Sequence, residues 1–399
     1  MSAREDCRPR RVRNVTALAL SGLLTVPGTW PGLPDGARAQ AVGPDSPEVV
    51  DVFVGRQEGY HTYRIPALTV TGKGTLLAFC EGRKFSYEDQ SPTDIVLKRS
   101  FDGGRTWKPL QIVVRGDPHA MMDPCPVNDR TTGTIWLMYD RYPKGSPHDP
   151  KPPGLGLDSV TVWTTASRDD GVTWSEPVDI TPTTKKPAWT QVIHGPGSGI
   201  QTRAGRLIVP GNHADNGWWN YLITSDDHGK TWRISDGLAG PGLNESQVVE
   251  LADGSLMLNM RSTAKKGCRT AAVTKDGGKT WSDPVDVPEL PSPRCHGSFI
   301  RYTSAREQDE NRLLFSNPAD RDQRIKMTVR LSYDEGKSWP VAKELYAGSS
   351  QYSDLAVLPD STILCLFERD QLRKLTLWRF SLEWLTVSAV TQNRPPGVT

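Results

Sequence analysis

Ser100-Phe-Asp-Gly-Gly-Arg-Thr-Trp107 is the first of five copies of one phrase, whose pattern is Ser/Thr-x-Asp-x-Gly-x-Thr/Ser-Trp. The other four copies begin at Ser167, Ser225, Thr274 and Ser332. Each has the residues of a tight hairpin turn: the Asp carboxylate can accept backbone N–H groups, the Gly can take a positive φ, and the Trp can anchor the turn on a sheet. A phrase that recurs in this way indicates a repeated supersecondary unit.

The spacing of the copies indicates what kind of unit is repeated. Successive copies start 67, 58, 49 and 58 residues apart, and short alternating apolar runs precede them, such as residues 94–99 and 220–224. Such runs, separated by Gly and Pro turns, are typical of strands, and no amphipathic stretch of helical length competes with them. The pattern therefore predicts an all-β fold, a β-propeller of four-stranded antiparallel blades.

The first forty residues differ from the rest of the chain. An arginine-rich start precedes an apolar run over about residues 15–26, and Ala37-Arg-Ala39 follows, which resembles a secretory signal with an Ala-x-Ala cleavage site. The apolar run is too short to span a bilayer. The alternative is a disordered extension of a cytosolic protein. We expect residues 1–39 to be removed, which predicts a secreted or periplasmic protein without a transmembrane segment.

Removal of residues 1–39 would leave 360 residues, which at a mean spacing of 58 residues makes about six units. We therefore expect residues 40–399 to form a single six-bladed propeller domain. Cleavage takes away six arginines and three acidic residues, so that 42 basic and 43 acidic residues remain. A nucleic-acid-binding protein would normally be basic, so this class is disfavoured. The five remaining cysteines form no Cys-x-x-Cys pair and the histidines lack metal-ligand spacing, so we expect buried cysteines and neither a metal nor a cofactor.

A second set of motifs lies outside the repeated phrases and begins with Tyr63-Arg-Ile-Pro66. It continues in order through residues 80–84, 243–251, 258–262, 315–318 and 352–355. These motifs resemble those of the sialidases (neuraminidases), and the repeated phrases resemble the Asp boxes of that family. The resemblance extends from about residue 50 to residue 386. The resemblance implies an exo-α-sialidase, a glycoside hydrolase that releases terminal sialic acid from glycans, glycoproteins or glycolipids with retention.

The resemblance also implies three substrate-binding arginines. Sialic acid carries a carboxylate on its anomeric carbon, and guanidinium groups bind such planar anions in a bidentate manner that Lys cannot reproduce. The matching positions are Arg64 in the Tyr-Arg-Ile-Pro motif, Arg261 in Leu-Asn-Met-Arg, and Arg324 before the last Asp box. Arg330 competes with Arg324 for the third position, although it stands two residues before the box.

Tyr352 and Glu245 match the nucleophile and base of the family. Sialidases are exceptions among glycosidases because their nucleophile is a Tyr. A carboxylate nucleophile would approach an anomeric centre that already bears a negative group, whereas a phenol can arrive neutral. Lowering the pKa of a phenol from about 10 towards the working pH requires a base and nearby positive charge. The resemblance assigns the base to Glu245.

The resemblance implies a general acid on a mobile loop that follows the Glu-Gly-Arg motif. Asp89 stands six residues after Arg83 and eleven before Ser100, as the family's acid does. The loop departs from the family pattern Asp-x-Gly-Asp-Ile-Asp, because here it reads Asp89-Gln-Ser-Pro-Thr-Asp94. Glu88 is the alternative acid.

Two further polar residues match substrate contacts of the family. Arg83 and Asp123 correspond to contacts with the C4 hydroxyl of sialic acid, although Asp123 before Pro124 could also be a turn residue. Met121 and Met122 are candidates to line the N-acetyl pocket. Two other functions stay open: a sialidase-like transferase, and a noncatalytic propeller that binds sialic acid. The sequence leaves the oligomeric state and calcium binding unassigned.

Overall fold

The computed structural model describes residues 46–89, 91–145 and 151–387. The expected signal sequence, residues 1–39, lies outside this range. The described part contains two short helices, α1 (Thr181–Thr184) and α2 (Leu382–Thr386), and neither has the length that a membrane crossing requires.

Strands make up the rest of the regular structure. In chain order they are β1 (Glu48–Val54), β2 (Thr62–Val70), β3 (Leu76–Arg83), β4 (Thr93–Ser100), β5 (Gln111–Val114), β6 (Ala120–Asp129), β7 (Thr134–Tyr142), β8 (Thr161–Ser167), β9 (Val178–Asp179), β10 (Gln191–His194), β11 (Ile200–Gln201), β12 (Leu207–Ala214), β13 (Trp218–Ser225), β14 (Arg233–Ile234), β15 (Leu243–Glu250), β16 (Leu256–Ser262), β17 (Cys268–Thr274), β18 (Val285–Pro291), β19 (Ser298–Thr303), β20 (Arg312–Pro318), β21 (Ile325–Ser332), β22 (Val341–Val357), β23 (Ile363–Arg369) and β24 (Lys374–Phe380).

Antiparallel pairing groups these strands into six blades. Blade one is β2-β3-β4-β5, blade two β6-β7-β8-β9, blade three β10-β12-β13-β14 with β11 beside β12, and blade four β15-β16-β17-β18. The long β22 serves two blades, because its first half pairs with β21 in blade five and its second half with β23 in blade six. Blade six is completed by β1, which pairs with β24. The predicted all-β architecture of four-stranded antiparallel blades is confirmed.

The innermost strands bring the blades together. Contacts run from β2 to β6, from β6 to β10, β11 and β12 of blade three, and from β12 on to β15, β19 and β22 in turn; β22 also contacts β2. Because adjacent strands are antiparallel, the start of a blade's first strand and the end of its second strand lie at the same end of the blades. We call this the site end, and the opposite end, where the third strands finish, the box end.

The repeated phrases all lie at the box end, between the third and fourth strands of blades one to five. In the second phrase, Ser167 Oγ donates to Asp169 Oδ1 at 2.9 Å and Thr173 N donates to the same oxygen at 2.8 Å. Gly171 has a φ of 77°, and its N–H donates to Ser167 Oγ at 2.8 Å. The same bonds recur in the other four phrases. The predicted turn is therefore confirmed.

The tryptophan of each phrase packs against one of the apolar clusters of the core, as its anchoring role predicts; these residues are Trp107, Trp174, Trp232, Trp281 and Trp339. The clusters lie between neighbouring blades; one, for example, contains side chains of β1, β2, β3, β23 and β24. The described cysteines are buried and free, which agrees with the expected role of small core residues; they are Cys80, Cys125, Cys268, Cys295 and Cys365.

Blade six carries a helix where the other blades carry the phrase. Ser381 follows β24, and its Oγ accepts a hydrogen bond from Trp384 N at 3.1 Å, which caps α2. The ring of Trp384 lies 5.1 Å from that of Phe380 and covers the end of the strand. Because the fourth strand of this blade is β1, the chain needs no hairpin turn here.

Candidate active site

Tyr352 lies at the centre of a group of charged side chains at the site end. Its hydroxyl donates to Glu245 Oε1 at 2.5 Å and accepts a hydrogen bond from Arg261 Nη1 at 3.0 Å. Arg261 Nη1 also lies 2.6 Å from Glu245 Oε1, so that the three groups form a closed triangle. Tyr352 and Glu245 are each only 6% exposed, which keeps water away from these bonds.

Burial and charge determine the protonation states of this pair. Burial opposes ionisation of Glu245, but Arg261 and the hydrogen bond from Tyr352 together outweigh it and hold the Glu245 pKa below its ordinary value. The pKa of Tyr352 is raised well above its ordinary value, first by burial and then by the negative charge of Glu245, although Arg261 and Arg324 act in the opposite direction. The resting pair is therefore a neutral phenol and a carboxylate. The sequence argument required a lowered phenol pKa, and the resting geometry does not provide it.

Arg64 reaches the same centre from β2. Its guanidinium lies over the Tyr352 ring, 5.4 Å from the ring centroid. Arg64 Nε donates to Glu368 Oε1 at 3.1 Å, and the same carboxylate accepts bonds from Ile65 N at 2.9 Å and Tyr352 N at 3.3 Å. The fully buried Glu368 thus fixes both the first arginine and the backbone of Tyr352.

Arg324 completes the set, and Arg330 lies apart from it. The Arg324 guanidinium is 5.7 Å from the centroid of the Tyr352 ring, and its Nη1 donates to Gln351 Oε1 at 2.6 Å. Arg330 is six residues further along β21, about 20 Å away in an extended strand, and pairs with Phe315 and Ala342. The geometry therefore favours Arg324 for the third position.

Asp89 lies above these arginines on the loop between β3 and β4. Its Oδ1 is 2.8 Å from Arg83 Nη2 and 3.3 Å from Arg64 Nη1, and its side chain is 47% exposed. The neighbouring Glu88 is exposed, and its side chain makes no hydrogen bond or ion pair with the residues that the structure describes. Arg83 also donates from Nη1 to the carbonyl of Tyr87, which ties the loop to the end of β3.

Asp123 and Arg83 meet at a buried carboxylate that sequence reasoning did not identify. Glu81 accepts two bonds from Arg83, with Nε at 2.8 Å, and one from Asp123 N at 3.0 Å. Burial, and then the negative charge of Glu81 and other carboxylates, raise the Asp123 pKa well above its ordinary value. Asp123 thus favours its protonated form, which can donate to a ligand hydroxyl. Met121 and Met122 are both buried in apolar clusters.

Irregularities in the innermost strands place these side chains. The ladder register shifts after Arg64 in β2, at Asp123 in β6, at Glu245 in β15 and around Tyr352 in β22. At a bulge, two residues of one strand face a single residue of the partner strand, and this changes the direction of the side chains on the bulged strand. Ile65 and Asp123 both have a φ of 55°, which agrees with such local distortion.

Sequence reasoning missed three residues at this site. Glu81 lies within the motif at residues 80–84, which assigned a role only to Arg83, and Glu368 lies in no motif; each is a carboxylate close to an arginine at the end of an apolar strand. His296 lies with its ring centroid 5.5 Å from that of Tyr352, and burial lowers its pKa to about 3, so it is neutral. No group of three metal-ligating side chains occurs among the residues that the structure describes.

Known proteins resemble this chain in sequence and structure. Residues 74–365 match the family described as BNR repeat-like domain. A sialidase of Micromonospora viridifaciens is 37% identical over 354 residues, 84% of this chain and 54% of the relative. An exo-alpha-sialidase of Aspergillus fumigatus is 31% identical over 361 residues, 82% of this chain and 86% of the relative.

A solved structure gives the same result. The Hadza microbial sialidase Hz136 superposes with a TM-score of 0.77 at 33% identity, over 82% of this chain and 67% of that one. The chain spans about half the length of the Micromonospora relative and most of the Aspergillus one. On these matches, the chain belongs to the sialidase family.

Proposed function

We propose that the chain is an exo-α-sialidase that hydrolyses terminal sialic acid from glycoconjugates with retention, through a covalent intermediate on Tyr352. The observation that carries this proposal is the convergence on one phenol of a carboxylate at 2.5 Å and three guanidinium groups. We call Arg64, Arg261 and Arg324 the arginine clamp. A clamp of this kind suits a carboxylate fixed to the reacting carbon, because guanidinium forks bind planar anions in defined orientations.

In the first step the Tyr352 oxygen attacks the anomeric carbon while its proton passes to Glu245 Oε1. The neutral resting phenol fits this sequence, because ionisation is then needed only as the new bond forms. Glu245 is suited to be the acceptor, since Arg261 keeps it ionised at mildly acidic pH. The neutral His296 packs near the Tyr352 ring, but among the described residues it is Glu245, and not His296, that accepts the hydrogen bond of the Tyr352 hydroxyl.

Asp89 is the proposed general acid and base. The substrate carboxylate would replace Asp89 Oδ1 at Arg64, which leaves Asp89 on its half-exposed loop beside the leaving oxygen. Protonated Asp89 gives its proton to the aglycone oxygen as the glycosidic bond breaks. In the second step Asp89 takes a proton from water, the water oxygen bonds to the anomeric carbon, and Tyr352 leaves and recovers its proton from Glu245.

Proton NMR of an α-sialoside during turnover tests this function. We expect free sialic acid to appear first as the α-anomer. Tyr352→Phe should lose turnover of every sialoside, whereas Asp89→Ala should retain much more activity on an aryl sialoside with an acidic phenol, which departs without protonation. First release of the β-anomer would contradict the Tyr352 mechanism, and a transfer product or no product would favour the transferase or the noncatalytic binder.

The proposed cellular site rests on the N-terminal sequence. We propose that residues 1–39 direct export and are removed, so that the enzyme meets sialylated glycans outside the cytoplasm. Sequencing the N-terminus of exported protein tests this, and a start other than Gln40 would move or remove the proposed cleavage site.

A further inference from the structure

A cavity of about 400 Å³ adjoins the arginine clamp at the site end. Three connections form it: residues 263–267 between β16 and β17, residues 292–297 between β18 and β19, and residues 319–324 between β20 and β21. Arg261 and Arg324 line it, but Arg64 and Tyr352 do not. The cavity therefore lies beside the reacting centre, on the side of blades four and five.

The charge of this cavity is strongly one-sided. Its charged lining residues are one carboxylate, Asp322, and five cations, Arg261, Lys265, Arg294, Arg321 and Arg324. Within the described ranges, the side chains of Lys265, Arg294 and Arg321 make no hydrogen bond or ion pair, and the buried Nε of Arg261 has no partner. Most of this positive charge is thus not neutralised by the protein.

The cavity at the box end provides a comparison within the same chain. That cavity, of about 600 Å³, is lined by three arginines, of which two are paired with carboxylates and the third, Arg130, donates to Gln201. Arg203 lies 3.2 Å from Glu250, and Arg301 lies 2.6 Å from Glu335. Cations that line a cavity of this protein are therefore not unpaired as a rule, and the excess beside the clamp points to an anionic ligand.

We propose that this cavity binds a second anionic group of the substrate, a carboxylate or sulfate ester on the sugar next to the one that is released. The inference rests on the proposed function, because it takes the clamp as the site of the first carboxylate. The cavity has the volume of a small-ligand site, and its shared Arg261 and Arg324 keep a second anion close to the first. Carboxylate and sulfate both present the acceptor oxygens that guanidinium and ammonium groups bind.

Lys265→Ala/Arg321→Ala in the full chain tests the subsite, since both side chains are exposed and outside the clamp. Arg294 is left intact because it has a positive φ of 57°, and a substitution there could shift the backbone carbonyl that accepts a bond from Arg324 Nη2. Binding is measured by calorimetry in a Tyr352→Phe background, so that it does not depend on turnover. The probes are sialyllactose, the same trisaccharide with a sulfate ester on galactose, and a disialyl oligosaccharide with a second carboxylate.

We expect the doubly charged probes to lose about tenfold in affinity in this variant, because each charged hydrogen bond contributes appreciably to binding. Sialyllactose should change by less than about twofold, since the clamp that binds its carboxylate is intact. The matched control is Lys230→Ala/Lys279→Ala, which removes two exposed cations from repeated phrases at the box end. It should leave every affinity unchanged.

The outcomes separate the two proposals and the two ligand sources. A loss for the sulfated probe alone assigns the subsite to sulfate esters, and a loss for the disialyl probe alone assigns it to carboxylates. Equal affinities of the variant and its parent for both doubly charged probes overturn the subsite. Absence of sialoside hydrolysis by the wild-type chain overturns the proposed function instead, and the binding comparison still decides the subsite.

Discussion

At the scale of single residues, Glu368 is the side chain on which most of the site geometry depends. It accepts bonds from Arg64, Ile65 N and Tyr352 N. Glu368→Gln places an amide NH₂ against one of these donors, so we expect kcat/KM to fall at least about tenfold and the free energy of unfolding to fall by about 3 kcal/mol. Glu368→Asp keeps the charge and should retain more activity. Kinetics on an aryl sialoside and urea unfolding measure both effects.

Glu335→Gln is the control for Glu368. Glu335 also pairs with an arginine, Arg301, but it lies at the box end and is partly exposed. The Glu335→Gln substitution should lower the free energy of unfolding by about 1 kcal/mol or less and leave kcat/KM unchanged. Equal kinetic losses in the two variants would mean that Glu368 acts only through stability.

Motifs led to the arginines, Glu245 and Tyr352, but they could not lead to Glu368. It ends an apolar strand, Ile363–Arg369, and its partner Arg64 is 304 residues away in the chain. Only the pairing of β22 with β23 brings it beneath the site. The raised pKa of Tyr352 could not be predicted from the sequence either, because it results from the burial of the side chain in the folded protein.

At the scale of elements, the repeated phrase makes a prediction about acid stability. Hydrogen bonds from Thr173 lower the pKa of Asp169 to about 2. A lowered folded-state pKa stabilises the protein above the unfolded-state pKa of about 4, and this contribution is lost as the pH falls through about 2. Asp169→Asn should therefore cost about 1 kcal/mol at pH 7, because solvent screens the turn, and the deficit should shrink below about pH 3.

Urea unfolding of wild type and Asp169→Asn at both pH values measures this deficit. Asp236→Asn is the control, since Asp236 makes no hydrogen bond or ion pair in the described part of the chain. A deficit that stays constant with pH would show that the carboxylate charge does not stabilise the turn. The turn could be predicted from the sequence because the groups that form its hydrogen bonds all lie within eight consecutive residues.

At the scale of the whole molecule, β1 holds the first and last blades together. Phe53 is fully buried in the cluster that β1 shares with β2, β3, β23 and β24. Phe53→Ala should lower the free energy of unfolding by about 3–5 kcal/mol, because it opens a cavity in this cluster. Val49 of the same strand is 44% exposed, so Val49→Ala should change stability by less than about 0.5 kcal/mol. Similar losses in both variants would contradict a tightly packed junction.

The number of blades followed from dividing the chain by the phrase spacing, whereas the composition of blade six did not. Its first strand is the second half of β22 and its fourth is β1, and Glu48 pairs with Arg379 across nearly the whole chain. Pairing at that separation leaves no local pattern in the sequence. The sequence indicates this arrangement only by the absence of a sixth copy of the phrase. The reason for that absence becomes clear from the pairing of β1 with β24.

The pairing of β1 with β24 also sets an order of events during synthesis. β1 leaves the ribosome before any other strand described here, and its partner leaves more than 300 residues later. Until then one edge of β1 has no neighbour, and the cluster around Phe53 stays incomplete. A nascent chain can build blades one to five as they emerge, but β1 and β24 pair only after release of about residue 380. Blade six therefore cannot be completed before β24 is available, whatever the rate of translation.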